Sequence, residues 1–108
     1  MTTNWAGNLT YRAARIVEPR DESELTGILA QAQTDDTTVR VLGSRHSFND
    51  VADTDGVLVS LAGLAATERV SVASDRASVR VPAGIRYGDL VPVLDGESLA
   101  LANLASLP

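Results

Sequence analysis

Between residues 21 and 61 the spacing of apolar side chains changes from a helical to a strand period, and this excludes an all-helical or all-strand fold. Leu25, Ile28, Leu29 and Ala32 recur at helical intervals. They follow Asp21-Glu22-Ser23-Glu24, a capping acid three places ahead of a glutamate, which predicts a helix over residues 22–33. Gly27 inside it costs up to about 1 kcal/mol relative to alanine, so this helix needs packing support. After the polar turn Thr34-Asp35-Asp36-Thr37, the β-branched run Val39-Arg40-Val41-Leu42 reads as a strand, and Val57-Leu58-Val59-Ser60-Leu61 as a second.

The remaining segments extend this order. Residues 1–20 form an extended lead-in in which Trp5 and Tyr11 flank Asn8, and the short run Ile16-Val17 stops at Pro19. Arg69-Val70-Ser71-Val72 and Ala77-Ser78-Val79-Arg80-Val81 alternate polar and apolar residues around Ala73-Ser74-Asp75-Arg76, the pattern of a hairpin with one face buried. Leu90, Val91 and Leu94 predict a short helix over residues 86–94 that Pro92 limits or bends. The apolar stretch from Leu99 onward predicts a final strand. Helix, strand, strand, hairpin, helix, strand is a mixed α/β order, an α+β fold with a small β-sheet and about two packed helices. The 108 residues suffice for one small domain that buries about two-thirds of its unfolded surface. The ending, an apolar run at a proline with no polar tail, predicts that the domain is cut at residue 108 and that any substrate domain lies beyond it.

Composition narrows the chemistry. There is no cysteine and no lysine, all 9 basic residues are arginine, and His46 is the one histidine. Thiol nucleophiles, disulfides, cysteine-containing zinc sites, Schiff-base lysines and Walker-type phosphate lysines are therefore excluded. The net charge of −5 is spread along the chain, so a basic patch for nucleic acid or an anionic membrane is not expected. No apolar run approaches the ~18 residues of a membrane span and the N-terminus lacks signal-peptide order, so the expected compartment is the cytoplasm.

The segment Gly43-Ser44-Arg45-His46-Ser47 joins a glycine turn, two hydroxyls, an arginine and the imidazole at a strand end, where outward backbone N–H groups can hold a phosphate. The plain alternative is a polar turn with Arg45 and His46 facing water. The acidic stretch from Asp50 to Gly56 fails as a calcium loop: with Gly56 at the sixth position, the first is Val51 and the twelfth Ala62, neither a suitable ligand. It reads as a solvated loop, and no metal site is expected. GxGxxG and GxSxG are absent. Gly84-Ile85-Arg86-Tyr87-Gly88 reads as a turn into the second helix, or a close backbone approach to a ligand. Asn103-Leu104-Ala105-Ser106 offers two polar groups after a buried strand, and the plain alternative is a helix start with Ser106 as cap.

Three stretches go further. NWAGN at the start, VRVLGSRHSFND in the middle and LALANLASLP at the end, in that order and spanning nearly the whole chain, closely resemble the N-terminal region of the alditol oxidase and xylitol oxidase family. These are flavoproteins of the vanillyl-alcohol-oxidase type with a PCMH-type FAD-binding domain, and the aldonolactone oxidases are related. The resemblance implies an FAD-dependent oxidase of polyols or sugar-derived alcohols that passes electrons to oxygen to give hydrogen peroxide. It implies that His46 is joined covalently to the flavin ring, that Gly43, Ser44, Arg45 and Ser47 wrap the FAD pyrophosphate, and that Ser106 contacts FAD. Arg45 stands where many members have glycine, which reduces backbone freedom there and offers a cation to a phosphate. No acid-base residue of the family's substrate site falls within the chain, so the 108 residues alone are expected to be inactive. The alternative is a non-catalytic flavin- or nucleotide-binding fragment, or an inactive truncated product.

Overall fold

The computed structural model describes residues 1–104. In chain order its elements are β1 (Arg15–Val17), α1 (Glu22–Thr34), β2 (Val39–Leu42), a 3₁₀ turn (Asp50–Ala52), β3 (Val57–Ser60), the one-turn α2 (Ala62–Ala65), β4 (Ser71–Val72), β5 (Val79–Arg80) and α3 (Tyr87–Gly96). The continuous apolar run of β3 forms the middle strand of a parallel sheet ordered β1-β3-β2, its backbone paired along both edges. Arg15 and Val39 both pair with Val57, and Val17 and Val41 with Val59. Leu58 is 0% exposed and Val59 1%. Ala32 of α1, Leu64 of α2, and Leu90 and Leu94 of α3 join them in the buried set.

α1 starts as its sequence predicts, since the Asp21 carboxylate accepts the Glu24 N–H at 2.8 Å. The reciprocal half of the capping box is displaced by one residue: Glu24 accepts the Arg20 backbone N–H at 2.8 Å and pairs with its guanidinium. Those bonds, from the Arg20 side chain first, hold the Glu24 carboxyl below its ordinary range. At the other end the Thr37 N–H reaches the Ala32 carbonyl at 2.8 Å, with Asp36 in the left-handed region at φ 51°.

Several expectations are corrected. The lead-in is partly regular: Thr3 and Thr10 form an antiparallel bridge that closes a tight hairpin, and Ile16-Val17 belong to β1. α2 was not anticipated from the sequence, and α3 runs through Pro92 to Gly96. Pro92 gives up the bond to the Gly88 carbonyl, and the helix continues because Leu90 and Leu94 on either side of it are both buried. The β4–β5 ribbon forms with Ser71 opposite Arg80, but its valines are only half-buried. Residues 99–104 are not a strand: they follow α3 as irregular chain, and no neighbouring strand among the described residues offers them a ladder. Residues 105–108, and Ser106 with them, lie outside the described residues.

The acidic loop is not simply solvated. Asp53 and Thr54 are buried, and the Asp53 carboxylate accepts the Arg12 backbone N–H at 2.9 Å, the Arg12 Nε at 3.3 Å and the Thr54 N–H at 2.8 Å. Burial pushes this carboxyl up, but the bonds from Arg12 and Thr54 outweigh it and hold it below its ordinary value. The loop is thereby pinned to the chain just ahead of β1. No helix among the described residues is long and apolar enough to cross a membrane.

Candidate functional site

β2 and β3 are parallel neighbours, so the chain leaving Leu42 must travel the length of the sheet before it can enter β3 at Val57. A helix usually makes that crossover; here residues 43–56 make it with a turn and a 3₁₀ segment. The polar residues at 43–47 are therefore delivered to the carboxyl ends of the strands, the edge of an open parallel sheet at which ligands bind.

The backbone of this turn is unusual at one position. Arg45 sits at φ 63°, in the left-handed region that a glycine enters freely and an arginine does not. Its carbonyl accepts the Trp5 N–H at 2.7 Å, and its guanidinium donates to the Thr3 carbonyl at 2.8 Å. The arginine thus occupies a glycine conformation and is held there from both ends by the N-terminal hairpin. The backbone N–H groups of Gly43, Ser44, Arg45 and His46 donate to no other described residue. This set of open donors at a strand end is one that a phosphate oxygen can accept from.

The five residues diverge in where their side chains go. Gly43, Ser44 and His46 line a cleft of about 340 Å³, with Val41 and Leu42 beneath them and Ser60, Leu61 and Ala62 alongside. The far wall is the stretch from Ala83 to Tyr87 at the start of α3. Arg45 reaches instead to Thr3, and the Ser47 hydroxyl donates to Asn49, at 3.1 Å from both its backbone and side-chain oxygens. The His46 ring lies against Trp5, centroids 5.9 Å apart and planes at 79°, an edge-to-face contact.

Arg86 and Tyr87 were not singled out individually by the sequence, although the glycines at 84 and 88 marked their segment. Gly84 turns out to approach protein rather than ligand: a Cβ there would fall 2.2 Å from the Leu61 carbonyl oxygen. Only glycine lets the two walls of the cleft come this close. Among the lining residues are one guanidinium, one imidazole and no carboxylate, so a chain of net charge −5 nonetheless presents a cleft free of negative side chains. Roomier hollows of about 820 and 560 Å³ border α1 but include no residue of the turn. Among the described residues no cluster of His, Asp and Glu could hold a metal ion.

A parallel sheet that ends in a turn of open amides, beside a cleft without acids, presents donors and no negative side chain to an anion, and the sequence comparisons give the class of the chain. The model of the FAD binding domain family matches residues 13–108, and the chain belongs to that family. It is alditol-oxidase-like in sequence, 40% identical over 98% of its length to an alditol oxidase of Streptomyces sp., covering 25% of that protein. It is also 38% identical over 94% of its length to an L-gulono-1,4-lactone dehydrogenase of Mycobacterium tuberculosis, and 33% identical over 96% to an L-gulonolactone oxidase of Bos taurus, in each case covering 23% of the relative. The chain thus spans about a quarter of the length of these curated relatives.

Proposed function

We propose that this chain is the part of a flavin-dependent oxidoreductase that holds FAD, with His46 as the covalent anchor of the flavin. The observation that carries the reading is the convergence of Gly43, Ser44 and His46 on one cleft, at the carboxyl end of a parallel sheet, in a chain of the FAD binding domain family. The donor set suits the cofactor. The open N–H groups of residues 43–46 and the guanidinium of Arg86 would meet the pyrophosphate, and the imidazole would meet the ring system. A volume of 340 Å³ is near the low end of ligand pockets, roughly 300–1,000 Å³, and accommodates part of a dinucleotide. Arg45 would contribute its backbone rather than its charge, because its guanidinium is committed to Thr3. For Ser106 we retain a cofactor-contacting role.

When bound, the flavin supplies a two-electron acceptor for a carbinol and returns those electrons to oxygen as hydrogen peroxide. We propose a polyol or sugar-derived alcohol as the substrate class, in a protein of the relatives' length. The cleft's lining has no carboxylate to take a substrate proton, which supports assigning these residues to cofactor retention rather than to the oxidation itself. The same observation favours the second reading, in which the 108 residues form a flavin-binding unit without catalysis. Acid precipitation of the protein expressed with FAD at full relative length is the test. Yellow colour that stays with the pellet, and leaves it in His46→Ala, supports the anchor; flavin released to the supernatant from the wild type overturns it.

A further inference from the structure

Resting on the reading of His46 as attachment point, we propose that the hairpin of residues 2–11 is a positioning device for that imidazole, with Asn4 and Trp5 as its positioning residues. A histidine on an open turn samples several rotamers. Reaction at one ring nitrogen requires that the ring be held in a single orientation. The hairpin supplies restraint on both sides of His46. Before it, the Trp5 N–H donates to the Arg45 carbonyl at 2.7 Å. After it, Asn4 Nδ2 donates to the Ser47 carbonyl at 2.8 Å and Asn8 Nδ2 to the Phe48 carbonyl at 3.1 Å. The imidazole between these ties contacts the indole of Trp5 and lines the cleft.

The two residues have different standing. Asn4 is 2% exposed and its amide makes three bonds: Oδ1 accepts the Leu9 N–H at 3.1 Å, and Nδ2 donates to Asn8 Oδ1 at 2.6 Å as well as to Ser47. A buried amide with both donors and its oxygen engaged specifies one geometry. Gly7, at φ 74°, lets the hairpin turn back so that Asn8 can join that network. Trp5, in contrast, is 61% exposed. An indole that open contributes little to the core, so what its contact with His46 chiefly determines is the ring's orientation.

Because the chain has a single histidine, imidazole resonances report on His46 alone. In the 108-residue wild-type chain we expect nuclear Overhauser contacts between the His46 ring protons and the Trp5 indole. Asn4→Ala should abolish them, and Trp5→Ala should return the His46 shifts toward those of a free side chain while amide dispersion of β3 persists. Covalent flavin uptake, followed by in-gel fluorescence, should slow about tenfold or more in Asn4→Ala and Trp5→Ala, and recover to within about twofold in Trp5→Phe, which restores a ring. Wild-type uptake rates in folded Trp5→Ala, or a wild-type imidazole that averages freely with no contact to the indole, would overturn the proposal. Should Asn4→Ala fail to fold, Trp5→Ala decides the matter by itself. If the wild type takes up no covalent flavin, the attachment reading fails, and the His46–Trp5 contacts and their loss in Asn4→Ala still decide whether the hairpin positions the ring.

Discussion

β3 and the turn that follows β2 lie within one crossover of each other and are held by different forces. β3 is fixed by burial, with Leu58 and Val59 of this middle strand shut away from water. The turn at residues 43–48 has little apolar burial and takes its shape from polar ties to a hairpin some forty residues earlier in the chain. A sheet held by non-directional burial tolerates modest change in any one polar contact. A turn held by directional bonds keeps one shape only while those bonds last, and in exchange leaves its amides open to a ligand.

Substitutions should separate the two regimes. Leu58→Ala is expected to have the largest effect, a loss of about 2–5 kcal/mol in urea denaturation, because the residue is fully enclosed and its removal leaves a cavity. The molecules that remain folded should keep the His46–Trp5 contact. Asn4→Ala should cost less, about 1–3 kcal/mol, by leaving buried donors and acceptors unpaired, yet it should loosen the turn that Leu58→Ala leaves intact. A result in which both variants disturb the turn equally would break the comparison.

Acid should act on the junction of the two regions. Asp53 is an aspartate held below its ordinary value in the folded chain, so it adds stability above its unfolded value and loses that contribution as pH falls through the folded value. Thermal midpoints should therefore drop on acidification below the ordinary carboxylate range, about pH 4. Asp53→Asn should be less stable at neutral pH and show a shallower drop, and an unchanged acid profile would contradict the assignment. The smallest effect is expected at Tyr11, whose buried hydroxyl has no partner among the described residues. Tyr11→Phe should change stability by no more than about 1 kcal/mol, and in the stabilising direction, since it removes an unsatisfied group.

The same division accounts for what could be read from the chain alone. α1, β2 and β3 were legible because Asp21, the helical spacing from Leu25 to Ala32 and the β-branched runs are local signals that packing confirms. α2 was hidden because Ala62-Gly63-Leu64-Ala65 is too short to show a period. The apolar run from Leu99 looked like a strand, but a strand is defined by its partner, and no local pattern supplies one. At the site, the GSRHS turn and its histidine were visible. The far wall was not, because Gly84 signals a close approach without saying to what, and the answer lay in the Leu61 carbonyl. Likewise Asn4 and Asn8 act on Ser47 and Phe48 through contacts that span the chain. For Arg45 the resemblance already marked a glycine position, in keeping with its positive φ, and offered a cation to a phosphate; that its guanidinium goes to Thr3 instead emerges only in three dimensions.

The central claim is that the turn at residues 43–47 retains the flavin and that His46 is the point of attachment. Peptide mapping by mass spectrometry of the protein expressed with FAD tests it most directly. A flavin adduct is expected on the peptide that contains His46, fragmenting at that residue, and should disappear in His46→Ala. An adduct on any other peptide, or a wild-type protein in which every peptide has its unmodified mass, would contradict it.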